Sequence, residues 1–315
     1  MALYLVTGGA GFIGSHIVEE LVAKGETVRV LDNFSTGKRE NLDEWLHKIE
    51  LIEGSVEDRS VCKKAVQGVE FVLHQAAICS VPRSVENPIA TNTTNVTGTL
   101  NLLWVSKEVG VHRFVCAGSS SVYGDSEVLP KNENMSPTPC SPYAVSKLVK
   151  EHYCELFYRL YRLETVVLRY FNVYGSRQDP DSPYAAVIPS FVQALISGKR
   201  ATIYGDGEQS RDFTYVKDCV QANLMACQKG EAAGEILNIA SGRRITINQL
   251  YGRIASLTGK KDRPAYDPPR PGDVRHSLAD ISKAEKLLGY EPEYTIDQGL
   301  REAIQWYKQN VSKPS

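Results

Sequence analysis

Three groups of residues in this chain have the types and spacings from which chemistry is built. Ser119, Ser120 and Ser121 stand together in SSSVYG, Tyr143 and Lys147 stand four apart in PYAVSK, and Gly8, Gly11 and Gly14 recur at every third position of TGGAGFIG. On a helix, Tyr143 and Lys147 share one face. A phenol of pKa about 10 is a poor base at neutral pH, but a neighbouring ammonium favours its phenolate, as does the positive ring of a nicotinamide. A serine hydroxyl at a strand end can bridge a sugar hydroxyl to that tyrosine and pass a proton, which the acid–base half of hydride transfer needs. The glycines let a strand turn tightly into a helix and approach a pyrophosphate, whose charge suits the helix N-terminus. Asp32 ends the next apolar run, where a carboxylate accepts both ribose hydroxyls of an adenosine and repels a 2′-phosphate; this favours NAD over NADP, a preference that Lys38 and Arg39 close behind would soften. Taken singly, each signal is weak. A glycine triplet serves any tight turn, Tyr-x-x-x-Lys is common on solvated helix faces, and Ser120 and Ser121 also read as a polar strand end capping the next turn. Their coincidence in one chain is what points to hydride chemistry on a bound dinucleotide.

Such residues need a frame. The runs LYLVTG, TVRVLD, IELIEG, EFVLHQA, RFVCAGS and TVVLRYF alternate with longer helical patterns, which predicts an α/β protein with a parallel, doubly wound Rossmann sheet. From about Asn172 the chain turns to Gly- and Pro-rich stretches, YGSRQDPDSPYAAVIP and PAYDPPRPGD, interleaved with helical patterns near 186–197, 216–228, 246–258 and 297–309. The expected division is a dinucleotide-binding domain over 1–171 and a smaller, mixed, mainly substrate-binding lobe over 172–315, with some return of chain to the first domain. The length of 315 residues and 42% hydrophobic content suffice for a substantial core. A net charge of −1 and pI near 6.6 argue against a general nucleic-acid or membrane-surface binder, so the expected partner is a small molecule. Seven cysteines without a C-x-x-C pair indicate neither a disulfide framework nor a zinc site, and no stretch has eighteen continuous apolar residues; a cytoplasmic, metal-free protein is expected.

Together, TGGAGFIG, SSSVYG, PYAVSK, RYFNVYG, SRDFTYVKD and RPGDVRHSLAD resemble the extended short-chain dehydrogenase/reductase family over nearly the whole chain, and specifically its nucleotide-sugar 4-epimerases. Within these, GSRQDPDSPYAAVIP and GDVRHSLADISKAEKLLGY are most similar to the UDP-N-acetylglucosamine 4-epimerases. The resemblance implies a retained NAD, a UDP-sugar substrate, and a homodimer built through two helices per subunit; the stretches 95–110 and 145–161 have apolar spacing suited to that or to packing on the sheet. It implies Ser119 as proton relay, Tyr143 as base and Lys147 as its ribose-binding, pKa-lowering partner. Contacts to NAD would come from Gly8, Gly11, Phe12, Ile13 and Gly14, from Asp32, Asn33, Ser35, Thr36 and Gly37, from Ser55 and Val56, and from Gln75, Ala76, Ala77 and Asn95. Tyr170 and Asn172 would line nicotinamide and substrate, with Ser120 and Ser121 also on the substrate. Arg211 and Arg270 would clamp the diphosphate, and Ala186, Val187 and Tyr204 would enclose the uracil. Ser277 would face the C2 substituent, where a small residue leaves room for an acetamido group. One departure is Ser55, because relatives usually carry an aspartate there to bond the adenine amino group.

Related 4,6-dehydratases place an aspartic acid and a glutamate where this chain has Ser120 and Ser121, and serine cannot supply the acid/base pair that elimination needs. Oxidation is therefore expected to stop at a 4-keto sugar, which is turned over and reduced on its other face. Two other readings stay open. A UDP-hexuronate 4-epimerase would want a cation for the sugar carboxylate, Arg177 or Arg83; a non-catalytic NAD(H)-sensing protein would share the fold, although Tyr143 and Lys147 argue against it.

Overall fold

The computed structural model describes residues 1–180, 186–260, 263–269 and 274–310. Its centre is a sheet of seven strands, numbered here in chain order: β1 Leu3–Thr7, β2 Thr27–Asp32, β3 Ile49–Glu53, β4 Phe71–His74, β5 Arg113–Ala117, β6 Glu164–Tyr170 and β7 Ile236–Ile239. All pairings are parallel, in the spatial order β3–β2–β1–β4–β5–β6–β7. Continuous apolar runs are what such strands require, since helices cover both faces. Alternate side chains feed opposite cores. Val6, Val30, Leu73 and Val115 pack on the helices Phe12–Ala23 and Val216–Gln228, whereas Leu5, Leu31, Val72 and Phe114 pack on Gly98–Val109 and Pro142–Tyr161. The strand order reverses between β1 and β4, and a crevice opens beyond their carboxyl ends, the place where open α/β sheets bind ligands.

The six apolar runs of the first half form β1 to β6. The seventh strand comes from the second half: the chain returns through Val216–Gln228 and Ile236–Ile239 before leaving again. The helical patterns of that half form Val187–Ile196, Val216–Gln228, Ile247–Thr258 and Ile296–Asn310. Three of these pack together around Phe191, Leu250, Ile254, Leu300 and Tyr307, and three short two-stranded ladders connect them.

The helix Pro142–Tyr161 carries the tyrosine and lysine, and its start is well specified. Ser141 caps it by accepting the Ala144 N–H at 3.1 Å, and Pro142 occupies the first turn. A buried ion pair holds it to the sheet: Arg169 on β6 donates to Glu151 at 2.9 and 2.7 Å. Arg169 also donates to the Tyr123 hydroxyl at 2.8 Å, which donates to Asn238 on β7 at 2.7 Å. One network thus fixes the helix, two strands and the serine-bearing turn after β5 relative to one another.

Candidate active site

A cleft of about 1380 Å³ lies over the sheet's carboxyl edge, walled by the glycine turn, the end of β2, the β4 and β5 ends, and residues of the C-terminal half. At its dinucleotide end Gly8 has φ +68, and a Cβ there would stand 2.8 Å from the Ala76 nitrogen; a Cβ on Gly14 would overlap the Gly8 carbonyl oxygen. Only glycine fits these two positions. Gly11 caps the helix Phe12–Ala23 without a side-chain acceptor, so the first-turn N–H groups beside Phe12 and Ile13 are left for an anionic ligand.

Asp32 is buried, accepting the Ala10 N–H at 2.9 Å on one oxygen and the Phe34 N–H at 2.8 Å on the other. Burial raises its pKa, against the lowering effect of those hydrogen bonds. Each oxygen keeps a lone pair for a ribose hydroxyl. Lys38 is paired with Asp179 at 3.2 Å and Arg39 with Glu53 at 2.7 Å, so both cations near Asp32 already have carboxylate partners. Asn33 folds the following loop by accepting from the N–H and hydroxyl of Ser35, and that loop brings Thr36 and Gly37 to the cleft. Ser55 and Val56 line the cleft as well; the Ser55 hydroxyl accepts the Glu57 N–H at 3.2 Å. The glycine cradle, the uncapped helix and the ribose-height carboxylate together fit a dinucleotide.

Tyr143, Lys147 and the serines converge at the β5 end. The buried Tyr143 phenol lies beside Ser119, which lowers its pKa, and beside the Cys79 thiol, which raises it. Ser119 accepts from both the N–H (3.2 Å) and the hydroxyl (2.9 Å) of Ser121 and caps the turn Ser120–Tyr123. The cap expected of Ser120 or Ser121 is thus made by Ser119 instead, and all three serines line the cleft. Buried Lys147 donates to the Ala117 carbonyl at 2.9 Å and stands 5.7 Å from the Tyr143 ring centre. In the protein alone burial pushes the Tyr143 phenol well up, Cys79 adds to this, and the Ser119 bond only partly opposes it. The expectation that lysine sets the tyrosine's state is thus incomplete: desolvation dominates until another positive charge enters the cleft.

The remaining expected site residues divide between the cleft wall and positions away from it. Asn95 does not line the cleft among the described residues; it is fully buried in a single wide turn, Thr93–Thr97. Its amide accepts the Ile78 N–H and donates to the Ile78 carbonyl and to Ser146, whose hydroxyl bonds the Tyr143 carbonyl at 2.7 Å. It ties the loop after β4 to the helix that carries Tyr143. Gln75, Ala76 and Ala77 line the cleft, but the Gln75 amide and the Tyr170 hydroxyl are bonded to each other and to buried Asn223. Asn172 lines it with φ +35 and donates to the Asp212 carbonyl at 2.8 Å. Arg211 and Ser277 both line its far end, held on the same ladder: Arg211 donates to the Ser210 and Arg275 carbonyls, and the Ser277 N–H to Ser210. Ala186, Val187 and Tyr204 are not part of the described lining, and Arg270 lies outside the described residues. Arg177 and Arg83 both line the cleft, Arg177 with its guanidinium paired with Glu19 of the helix Phe12–Ala23 at 2.7 Å.

Cys79, Ser84 and His276 were not singled out by the sequence. Cys79 and His276 line the cleft, and Ser84 accepts the Tyr143 N–H at 3.0 Å. The cap signal SVPRS locates a helix start at Ser80, but no local pattern says that it abuts Tyr143.

A doubly wound sheet with this cleft and a serine–tyrosine–lysine set at the β5 end defines a dinucleotide-dependent enzyme of the short-chain dehydrogenase/reductase kind. Residues 5–303 match the GDP-mannose 4,6 dehydratase family, and the chain belongs to that family, within the extended short-chain dehydrogenases/reductases. Among solved structures it is similar to a UDP-glucose 4-epimerase of Thermotoga maritima with UDP-glucose, at 41% identity and TM-score 0.94 over 98% of this chain and 100% of that one. A UDP-N-acetylglucosamine 4-epimerase of Methanobrevibacter ruminantium, in complex with UDP-N-acetylmuramic acid, is 39% identical at TM-score 0.93, with 98% of each chain covered. A Thermus thermophilus UDP-glucose 4-epimerase complexed with NAD is 36% identical at TM-score 0.89, covering 98% of this chain and 100% of that one.

Proposed function

We propose that this protein is a 4-epimerase of UDP-hexoses that retains NAD and interconverts the N-acetylglucosamine and N-acetylgalactosamine forms as well as glucose and galactose. The observation that carries the reading is the convergence of Ser119, Tyr143 and Lys147 on one cleft at the β5 end, with Ser120 and Ser121 there in place of carboxylates. NAD held by the glycine turn and Asp32 would supply an acceptor and donor of hydride for C4 and a positive ring that favours the Tyr143 phenolate. Tyr143 takes the O4 proton through Ser119 as the carbinol becomes a ketone, and gives it back as the ketone is reduced on its opposite face. No acid/base pair at positions 120 and 121 drives elimination, so the cycle closes on the epimer. Lys147, tied to the Ala117 carbonyl, stands beside the phenol ring. Arg211 is assigned to the diphosphate, which must stay anchored while the hexose turns. A second copy is assigned to the exposed Val145, Leu156 and Leu160 of the catalytic helix, and free thiols at all seven cysteines suit a cytoplasmic setting.

Ser277 is the specificity gate in this reading. It lines the cleft, and a hydroxymethyl side chain leaves volume that a phenol would fill in a close-packed wall. The wild type should act on both UDP-sugar pairs, and Ser277→Tyr should lose the N-acetylated pair while keeping the other. An unchanged ratio of kcat/KM values in a folded, NAD-loaded variant removes Ser277 as the gate. Activity on UDP-glucuronate alone would establish the hexuronate reading instead.

A further inference from the structure

After the short strand Val173–Tyr174, the chain lies along the helix Phe12–Ala23 before it reaches the C-terminal lobe. A Cβ on Gly175 would stand 3.5 Å from the Phe12 ring. The Ser176 carbonyl meets His16 Nε2 at 3.0 Å, and the Gln178 carbonyl accepts from the Tyr307 hydroxyl at 2.7 Å. Between them Arg177 has φ +62, a left-handed backbone that a residue with a side chain keeps only where its surroundings hold it. Its side chain is 16% exposed, and the guanidinium is paired with Glu19 at 2.7 Å and lies 3.4 Å from the Ser15 hydroxyl. Arg177 and Asp179 both line the cleft, as do Gly11, Phe12 and Lys38, and Lys38 bridges to Asp179 at 3.2 Å.

We propose that Arg177 is a cofactor-phosphate residue and that Ser176–Asp179 is a strap that retains the dinucleotide. The inference rests on the NAD reading above. The uncapped helix start offers backbone N–H groups to a pyrophosphate but no side-chain charge, since its first turn has neither acidic nor basic residues. Arg177 supplies that charge from the other half of the chain. A guanidinium has five N–H donors in a fixed fork, so Glu19 and Ser15 can aim it while other donors turn to phosphate oxygens. The Lys38–Asp179 pair ties the strap to the loop after Asp32, across the cleft. A cofactor that is regenerated in each turnover has no need to leave, and a strap from the lobe that also shapes the substrate site keeps it there.

The test reads NAD release, not turnover. Purified protein is loaded with radiolabelled NAD and chased with unlabelled NAD, and the loss of label is followed by filtration. Losing one charge-assisted phosphate contact should speed release about 10- to 100-fold in Arg177→Met. Arg177→Lys should recover part of this, and the wild type's salt sensitivity should flatten in the methionine variant. Asp179→Asn should show a few-fold effect at most, because its pair is solvent-exposed. Glu19→Gln separates the two roles of Arg177, since it loosens the aim but keeps the guanidinium, and should release NAD no faster than Arg177→Lys. Equal acceleration by Glu19→Gln and Arg177→Met would mean that Arg177 only pins the loop, and would overturn the phosphate contact. Release from Arg177→Met at the wild-type rate overturns the phosphate contact and the strap but not the NAD reading, whereas a wild type that holds no NAD overturns the reading of the cleft as well.

Discussion

Replacing Lys147 with methionine tests how the base is made. The Lys147 ammonium stands 5.7 Å from the Tyr143 ring centre, and the phenolate's charge is delocalised over that ring. With an effective dielectric of about 20, Coulomb's law gives about 3 kcal/mol of attraction, or about two pKa units. The ammonium favours the phenolate, so its loss raises the Tyr143 pKa in the NAD-loaded enzyme. The rising limb of kcat/KM against pH should therefore move about two units upward. At pH 7, below the limb, the variant should be about 100-fold slower, and the deficit should shrink as pH rises. Methionine keeps the buried stem but abandons the bond to the Ala117 carbonyl, so NAD content and melting temperature must accompany the profile. A folded, fully loaded Lys147→Met enzyme whose limb has not moved would refute the electrostatic account and leave Lys147 a purely structural anchor.

Tyr143→Phe should lower turnover by about 100-fold or more while leaving UDP affinity, measured by calorimetry, intact. Glu151→Ala breaks a pair buried on both sides, 3% and 1% exposed, and should cost about 3–5 kcal/mol of stability in urea titration; adding Arg169→Met should restore part of it. Burial lifts Asp218 to about 6 from 3.8, so its contribution to stability is complete below about pH 4 and lost as pH rises towards 6. Asp218→Asn should accordingly gain about 1–3 kcal/mol over wild type across that window and hold it at pH 8; a gain independent of pH would refute the assignment.

Local sequence determined a good deal of this protein. Apolar runs long enough for a strand, broken by helical periods, predetermine a parallel sheet because only strands covered on both faces can be apolar throughout. The glycine spacing specified the turn because Gly8 and Gly14 have no space for a Cβ, a constraint that acts within a few residues. Tyr143 and Lys147 were legible for the same reason, since four residues along a helix is a distance that the backbone alone sets.

What tertiary structure decided are the contacts between segments far apart in the chain. Nothing near Asn95 indicates that it clamps Ile78 and Ser146; that follows from where its helical turn lands beside the helix that carries Tyr143. The seventh strand, ILNI, carries a buried polar residue and is short, so it acquires its place only by pairing with β6 and bonding Asn238 to Tyr123. Arg177 reads in the sequence only as a cation available to a sugar carboxylate; its place on a helix more than 150 residues earlier, shown by its bond to Ser15, is tertiary. The state of Tyr143 was likewise beyond the motif. A lysine four residues away is a local fact, but the desolvation that outweighs it is the sum of every segment closing over the cleft.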